Sequence, residues 1–331
     1  MRQIIIFFSA MILFAYSCTG SIKKSDEIRF GLMADAQYCD CDMNINRYYR
    51  NSLEKIDSCV ADFNREEVLF SVNLGDLIDR DPNESLDLAL QHLSGLNSKI
   101  YHTTGNHDYD ESMDNETLYS SLSMPHPYYS FAYGNWLFIM LNTNEVANYS
   151  NIKGTPLEGE YQAMKDKIFE EGRKNGATYN GGVSQEQLSW LDQQLSNSLS
   201  NNQKVVIFTH HPLYKAERLT ALNDIEILDT ITKYSNVKMV ISGHHHSGDF
   251  GEYKGIQFIT TEGMIETENE NAYAIVELTD TKIEIKEKVE VELNHTPSIS
   301  KCNKLQHTAT TMQSADFYHN NHKTACRYQL V

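Results

Sequence analysis

Five short polar signatures stand where apolar stretches of the chain end. They are Asp35-Ala36-Gln37, Gly75-Asp76-Leu77-Ile78-Asp79, Gly105-Asn106-His107-Asp108, Thr209-His210-His211-Pro212 and Gly243-His244-His245-His246. Each offers carboxylate or amide oxygens or imidazole nitrogens, and none offers a thiolate. Donors of these types suit Mn²⁺, Fe or Zn²⁺ rather than soft copper or an iron–sulfur cluster. Five signatures from five segments can surround two metal ions. The chemistry they point to is hydrolysis of a phosphate ester by a two-metal site.

Such residues converge only if the elements before them end side by side. Glu27–Met33 alternates apolar residues and stops at Asp35, so it reads as a strand feeding a loop. Tyr49, Leu53, Ile56, Val60 and Phe63 follow at helical spacing. Val68–Leu74 reads as a strand ending at Gly75-Asp76, Ser85–Leu96 as a helix, and Lys99–Thr103 as a strand ending at Gly105-Asn106. Tyr129–Tyr133 and Trp136–Asn142 suggest a hairpin turned by Gly134-Asn135. The stretch from Glu145 to Asn180 is polar and poorly periodic, and reads as an insertion. Order resumes with a helix over Ser184–Ser198, with Ser184 as N-cap and Gln187 three residues on. Lys204–Phe208 leads into Thr209-His210, a helix spans Asn223–Tyr234, and Lys238–Ile241 leads into Gly243-His244. Three further strands are expected at Ile256–Thr260, Ala272–Leu278 and Lys282–Val289. Strands alternating with helices imply an α/β fold with a mostly parallel sheet and ligands at the strands' carboxyl ends. The β-rich later part implies a second sheet packed on the first.

The 331 residues have the composition of a soluble protein, 40% hydrophobic and 22% charged. A formal net charge of −17 argues against nucleic-acid binding. An anionic substrate then needs positive charge at the site itself, which two divalent ions supply. An apolar run from Ile4 to Tyr16, about 13 residues, is short for a bilayer span and fits a secretory signal over residues 1–17. Ala15-Tyr16-Ser17-Cys18 resembles a bacterial lipobox, which makes Cys18 the lipidated N-terminus of an exported, membrane-anchored protein. Plain secretion to the periplasm or beyond is the alternative. A catalytic domain spans 27–291, and residues 292–331 read as a poorly ordered tail, rich in Asn, His, Thr and Gln. Cys39 and Cys41 stand too close in sequence for an easy disulfide and read as passive loop residues.

The order of signatures, D-x-Q, GD-x-x-D, GNHD, H and GHxH, resembles the calcineurin-like metallophosphoesterase superfamily over residues 27–290. The resemblance implies an α/β/β/α sandwich of two packed sheets flanked by helices. It implies that Asp35, Gln37, Asp76 and His246 hold one metal, and that Asp76, Asn106, His210 and His244 hold the other. Asp76 then bridges two cations roughly 3.5–4 Å apart, and a hydroxide bound between them is the nucleophile. His107 protonates or stabilises the leaving oxygen, with Asp108 placed to orient its imidazole. His102 reads as a bystander, and His211 and His245 as supporting groups or spacers. Any two of the three imidazoles in the Gly243–His246 run can bind.

Further stretches resemble one branch, the manganese-dependent ADP-ribose/CDP-alcohol diphosphatases. They are Phe30-Gly31, Ala34–Tyr38, Arg47-Tyr48-Tyr49-Arg50, Asn180–Leu191 and Glu262–Thr267. Gln37 stands where many members of the superfamily have His, and Asp79 where purple acid phosphatases have a tyrosinate, which favours a di-Mn²⁺ site over coloured iron. The resemblance implies cleavage of the diphosphate in nucleoside diphosphate-X compounds such as ADP-ribose and CDP-alcohols. Tyr38, Arg47, Tyr48, Arg50, Asn180, Gly181 and Gly182 are candidates to cradle the nucleotide. A phosphomonoesterase or cyclic-nucleotide phosphodiesterase on the same scaffold is the rival enzyme, and a surface-anchored binding protein the non-enzyme rival. No feature calls for a partner protein.

Overall fold

Side chains alternate across a strand, so a strand with both faces covered must be apolar throughout. Trp136–Met140 is such a strand: Phe138 and Met140 enter one core while Leu137 and Ile139 enter another. The computed structural model describes residues 27–279, 282–288 and 327–329. In one sheet β1 (Ile28–Met33), β2 (Phe70–Asn73) and β3 (Lys99–His102) run parallel, linked by helices α1 (Ser52–Arg65) and α2 (Pro82–Leu93). After α3 (Asn115–Ser121) the chain makes a hairpin of β4 (Tyr129–Tyr133) and β5 (Trp136–Met140). Helices α4 (Pro156–Glu170) and α5 (Gln185–Ser200) follow, then β6 (Lys204–Phe208), α6 (Asp224–Ile231) and β7 (Val237–Ser242). The described chain ends with β8 (Ser247–Tyr253), β9 (Ile256–Glu262), β10 (Tyr273–Leu278), β11 (Lys282–Lys288) and β12 (Arg327–Gln329).

The first sheet has the order β12-β11-β10-β1-β2-β3 and the second β4-β5-β6-β7-β9-β8. Strands β5, β6, β7 and β9 are parallel, so β1 to β3 and β5 to β7 all deliver their following loops to carboxyl ends. Between the sheets Phe30 stacks on Phe70 with ring centroids 4.9 Å apart, and meets Phe138 and Phe208 edge-on, each at 5.8 Å. Helices α1 and α2 cover the first sheet, while α5 and α6 cover the second through Leu191, Leu195, Ile227 and Ile231. The expected α/β/β/α sandwich is borne out.

Three elements lie outside the expectations from sequence. Helix α4 lies in the expected insertion; Leu157, Tyr161, Met164 and Ile168 share one face at helical spacing, the first three half-buried and Ile168 buried, while Thr155 caps it and Pro156 starts it. Strand β8 is polar and holds two glycines, and α3 is only 7 residues long. Cys39 and Cys41 form a disulfide, which corrects the expectation that they stand too close for an easy bridge and are passive loop residues. A bend brings their Cα atoms to 5.2 Å, within the range a bridge spans. The signal segment with Cys18 lies outside the described residues. So does the tail, apart from Arg327–Gln329, which pair with Lys282–Glu284. Among the described residues no helix is long and apolar enough to cross a membrane.

Candidate metal centre

All five signatures meet at one edge of the sandwich. Asp35 follows β1, Asp76 follows β2, Asn106 and His107 follow β3, His210 follows β6, and His244 and His246 follow β7. The backbone there is unusual: Asp35, Gln37, Asp76 and His244 all have positive φ, at 54°, 45°, 52° and 66°. Side chains other than glycine avoid that region unless their surroundings impose it, and such outliers gather at functional sites. Gly105 is required for packing, because a Cβ there would run into the Asp76 carboxylate.

Ligand atoms of Asp35, Asp76 and His246 lie within 4.8 Å of one another, and so do those of His210, His211 and His244. His246 Nε2 is 3.3 Å from Asp35 Oδ1, and His210 Nε2 is 3.5 Å from Asp76 Oδ2 and 3.2 Å from Asn106 Oδ1. Gln37 Nε2 donates to Asp76 Oδ2 at 3.0 Å, which leaves Gln37 Oε1 buried with no hydrogen-bond partner. A buried acceptor without a donor is costly, and a cation would satisfy it. Of the three imidazoles in the Gly243–His246 run, His244 and His246 join these groups and His245 does not. The donor set is oxygen and imidazole only, so the residues present fit divalent metal ions.

The second ring nitrogen of each histidine has its own partner. His210 Nδ1 meets the Leu74 carbonyl at 2.9 Å, His244 Nε2 meets Asn180 Oδ1 at 3.1 Å, and His246 Nδ1 meets Glu266 Oε1 at 2.6 Å. Such contacts fix which nitrogen is left for a metal. Burial opposes charge on His246, yet Asp35 and Glu266 together hold its pKa at about 10. Burial and the neighbouring His211 and His210 push His244 well below its ordinary value. Burial also opposes the Asp76 carboxylate, but His210, His107 and the His107 N–H outweigh it and hold its pKa down.

His107 sits beside this basin, its side chain 29% exposed, with its N–H donating to Asp76 Oδ1 at 2.8 Å. Its ring Nδ1 is 3.0 Å from Asp79 Oδ1. This corrects the role expected for Asp108, whose two oxygens accept backbone N–H groups of Gly105, Asp76, Leu77 and Ile78 at 2.8–3.1 Å. Asp108 fastens two site loops together and has no oxygen left for the imidazole. Burial pulls the His107 pKa down, but Asp76 and Asp79 overcome it and raise it.

The substrate candidates divide. Arg47 lies close enough for its charge to act on His107, His246 and Glu266. Asn180 contacts His244. Tyr38 is buried and bridges to Ile78, and the Tyr48 N–H donates to the Ile265 carbonyl, so both brace loops. Arg50 is exposed and paired with the exposed Asp40 and Asp42. Gly181 and Gly182 make room for the protein itself, against the Thr143 carbonyl and the Asn223 side chain. Packing within the protein, rather than the nucleotide expected beside them, therefore accounts for both glycines. His102 is a core residue beside Asn73, its pKa lowered by burial to about 4. His211 is fully buried against Thr143. Asp79 and Glu266 were not assigned these roles from sequence, although both lie inside quoted motifs. Asn142, Thr143 and Asn144, which follow β5, are also buried here, and Thr143 meets His211 Nδ1 at 2.9 Å.

Residues 28–248 match the calcineurin-like phosphoesterase family, and the chain belongs to it. It is a dinuclear metallophosphoesterase, a hydrolase that uses divalent metal ions. The manganese-dependent ADP-ribose/CDP-alcohol diphosphatase of Arabidopsis thaliana is 29% identical over 282 residues, covering 75% of this chain and 89% of that one. The human protein of the same name is 27% identical, covering 72% and 83%. A dimetal phosphatase from Danio rerio superposes with a TM-score of 0.72 at 27% identity, covering 80% of this chain and 97% of that one.

Proposed function

We propose that this protein hydrolyses the diphosphate bond of nucleoside diphosphate-X compounds, with ADP-ribose and CDP-alcohols as the substrate class and Mn²⁺ as the metal. The observation that carries this reading is the pair of converging donor groups, Asp76 in one and within 3.5 Å of His210 in the other, with Gln37, on Asp76, leaving its Oε1 buried and unsatisfied. The names of the relatives, each similar along most of its length, support the substrate class. One metal is assigned to Asp35, Gln37, Asp76 and His246, the other to Asp76, Asn106, His210 and His244. When bound, two such ions supply positive charge for the phosphoryl oxygens and a hydroxide nucleophile near neutral pH.

The chain's own residues do the rest. His107 holds a proton on Nε2 while Asp79 fixes Nδ1, so that proton is aimed at the leaving phosphate oxygen. Arg47 adds a cation at the rim, where the second phosphate of a diphosphate would lie. Tyr179, 39% exposed with its ring centroid 5.8 Å from that of His244, offers an aromatic face at the same rim. We further infer export, with Cys18 as the lipid-bearing residue, from the N-terminal sequence. The Cys39–Cys41 disulfide supports an oxidising compartment.

A substrate panel on metal-depleted protein tests the reading. Added Mn²⁺ should restore hydrolysis of ADP-ribose and a CDP-alcohol to rates above those on AMP or p-nitrophenyl phosphate. Faster monoester cleavage would refute the diphosphatase reading.

A further inference from the structure

The first turn of α1 grips both loops that build the His246 half of the metal centre. Ser52 Oγ donates to the Ala36 carbonyl, between Asp35 and Gln37. Lys55 lies three residues on, and so on the same helix face. Its Nζ donates to the Met264 carbonyl at 2.6 Å and to the Thr267 carbonyl. Those two carbonyls flank Glu266, whose Oε1 meets His246 Nδ1 at 2.6 Å. The 3-10 turn Met264–Glu266 is tied to the site by its own backbone as well. The N–H groups of Met264 and Ile265 donate to the carbonyls of Ala34 and Asp35 at 3.1 and 3.0 Å. Gly263, just before the turn, packs so closely on the His246 ring that a Cβ would have no room.

Lys55 is 2% exposed, and a buried ammonium is a costly way to satisfy two carbonyls. Burial draws its pKa down to about 8. Neutral amides do the same work beside it. Asn51 Nδ2 donates to the Glu268 carbonyl at 3.0 Å, and Asn271 Nδ2 to the Lys55 carbonyl at 2.7 Å. What an amide lacks is charge, and the Lys55 charge acts on Glu266 and Glu270. A histidine that lends one nitrogen to a metal is oriented and made more basic by a carboxylate on the other, and that carboxylate must itself be held. Lys55 meets both needs, through two bonds to the segment that carries Glu266 and a positive charge behind its carboxylate.

We propose that Lys55 is a positioning residue of the metal centre, whose buried ammonium holds the Met264–Thr267 segment, and with it the Glu266 carboxylate, on His246. It reaches the metal only through Glu266 and His246. The inference rests on the assignment of His246 to a metal and is independent of which phosphate compound is cut.

Mn²⁺ is titrated calorimetrically into metal-depleted full-length protein, in the wild type, Lys55→Met, Glu266→Gln and their double variant. Lys55→Met should weaken one of the two sites by about tenfold and leave the other unchanged. The double variant should bind within about twofold of Glu266→Gln alone, because Lys55 acts through the group already removed. Losses that multiply, or a Lys55→Met variant with full affinity at both sites, overturn the proposal. Lys55→Arg, which keeps the charge, should regain most of the affinity, and Lys55→Gln should not; the reverse order also overturns it. If Lys55→Met fails to fold, Lys55→Gln carries the same cycle. Tyr273→Phe removes the bond from Tyr273 to Asp62 near the other end of α1, and so loosens the helix without touching the turn. It should lower thermal stability with both Mn²⁺ affinities intact; a matching loss at the same site would make Lys55 merely structural and sink the role. His246→Ala should lose one ion. If it keeps both, the ligand assignment falls and this role falls with it, whereas a loss there with none in Lys55→Met rejects the Lys55 role alone.

Discussion

The two halves of the metal centre are built on different electrostatics. Around His246 stand the carboxylates of Asp35, Asp76 and Glu266. Around His244 stand the Asn180 amide and the imidazoles of His210 and His211. The same residue type accordingly behaves in opposite ways, with His246 held at about 10 against the pull of burial and His244 pushed well below its ordinary value by it. A histidine backed by a carboxylate is a more basic ligand than one backed by an amide. Ligand identity alone therefore does not define the two sites; the groups behind the ligands do. Asp76 is where the halves join, through Gln37 on one side and His210 on the other.

The largest effect should come from breaking that join. Asp76→Asn removes the carboxylate both halves share, and several kcal/mol of transition-state charge stabilisation depends on the metals it holds, so activity should fall by roughly 10³-fold or more. Gln37→Ala removes one neutral donor from one half and should cost much less. Near-normal turnover in Asp76→Asn would end the assignment of a shared ligand. His107 lies outside both halves, so His107→Ala should lower kcat by about 10²–10⁴-fold while metal analysis still finds two ions. Asp79→Asn should reproduce part of that loss and shift the pH profile of kcat. Asp108→Asn instead should lower thermal stability, because its oxygens accept four backbone N–H groups.

The contrast between halves sharpens in a matched pair. Glu266→Gln keeps the shape behind His246 and removes its charge, and should weaken metal binding in that half by about 10–100-fold. Asn180→Ala removes only an amide from behind His244 and should weaken the other half less. Calorimetric titration of Mn²⁺ into each variant separates the two. Equal losses would show that charge behind the ligand is not what distinguishes the sites.

Much of this was legible because strands and ligands leave local signatures. Lys204–Phe208 followed by His210 reads as a buried strand with a donor at its end, and that is how the chain folds there. The partners behind the ligands were not legible, since Glu266 reaches His246 across 20 residues and Asn180 reaches His244 across 64. No local pattern encodes such a pairing. The role of Asp108 was misread because adjacency to His107 in sequence suggested contact. In the 3-10 turn at Asn106–Asp108 the two side chains diverge, one to Asp79 and the other into the backbone beneath. Helix α4 has a packed face of Leu157, Tyr161, Met164 and Ile168, but the many polar residues among them mask its period.

The smallest predicted effect separates two arginines three residues apart that the sequence presents alike. Arg50 is 51% exposed and engaged by Asp40 and Asp42, themselves 84% and 95% exposed. Pairs so open to water contribute little. Arg47 acts on His107, His246 and Glu266 together, which places its charge over the His246 half. A cation there binds a substrate diphosphate in ground and transition states alike, so its loss should appear chiefly in KM. Arg47→Ala is expected to raise KM for ADP-ribose by roughly tenfold, the size of one charge-assisted contact. Arg50→Ala should change kcat/KM by less than about twofold, the range of an open surface pair. Comparable losses in the two variants would mean that the loop from Tyr38 to Arg50 moves as a unit when substrate binds, bringing Arg50 off its aspartates and onto the nucleotide.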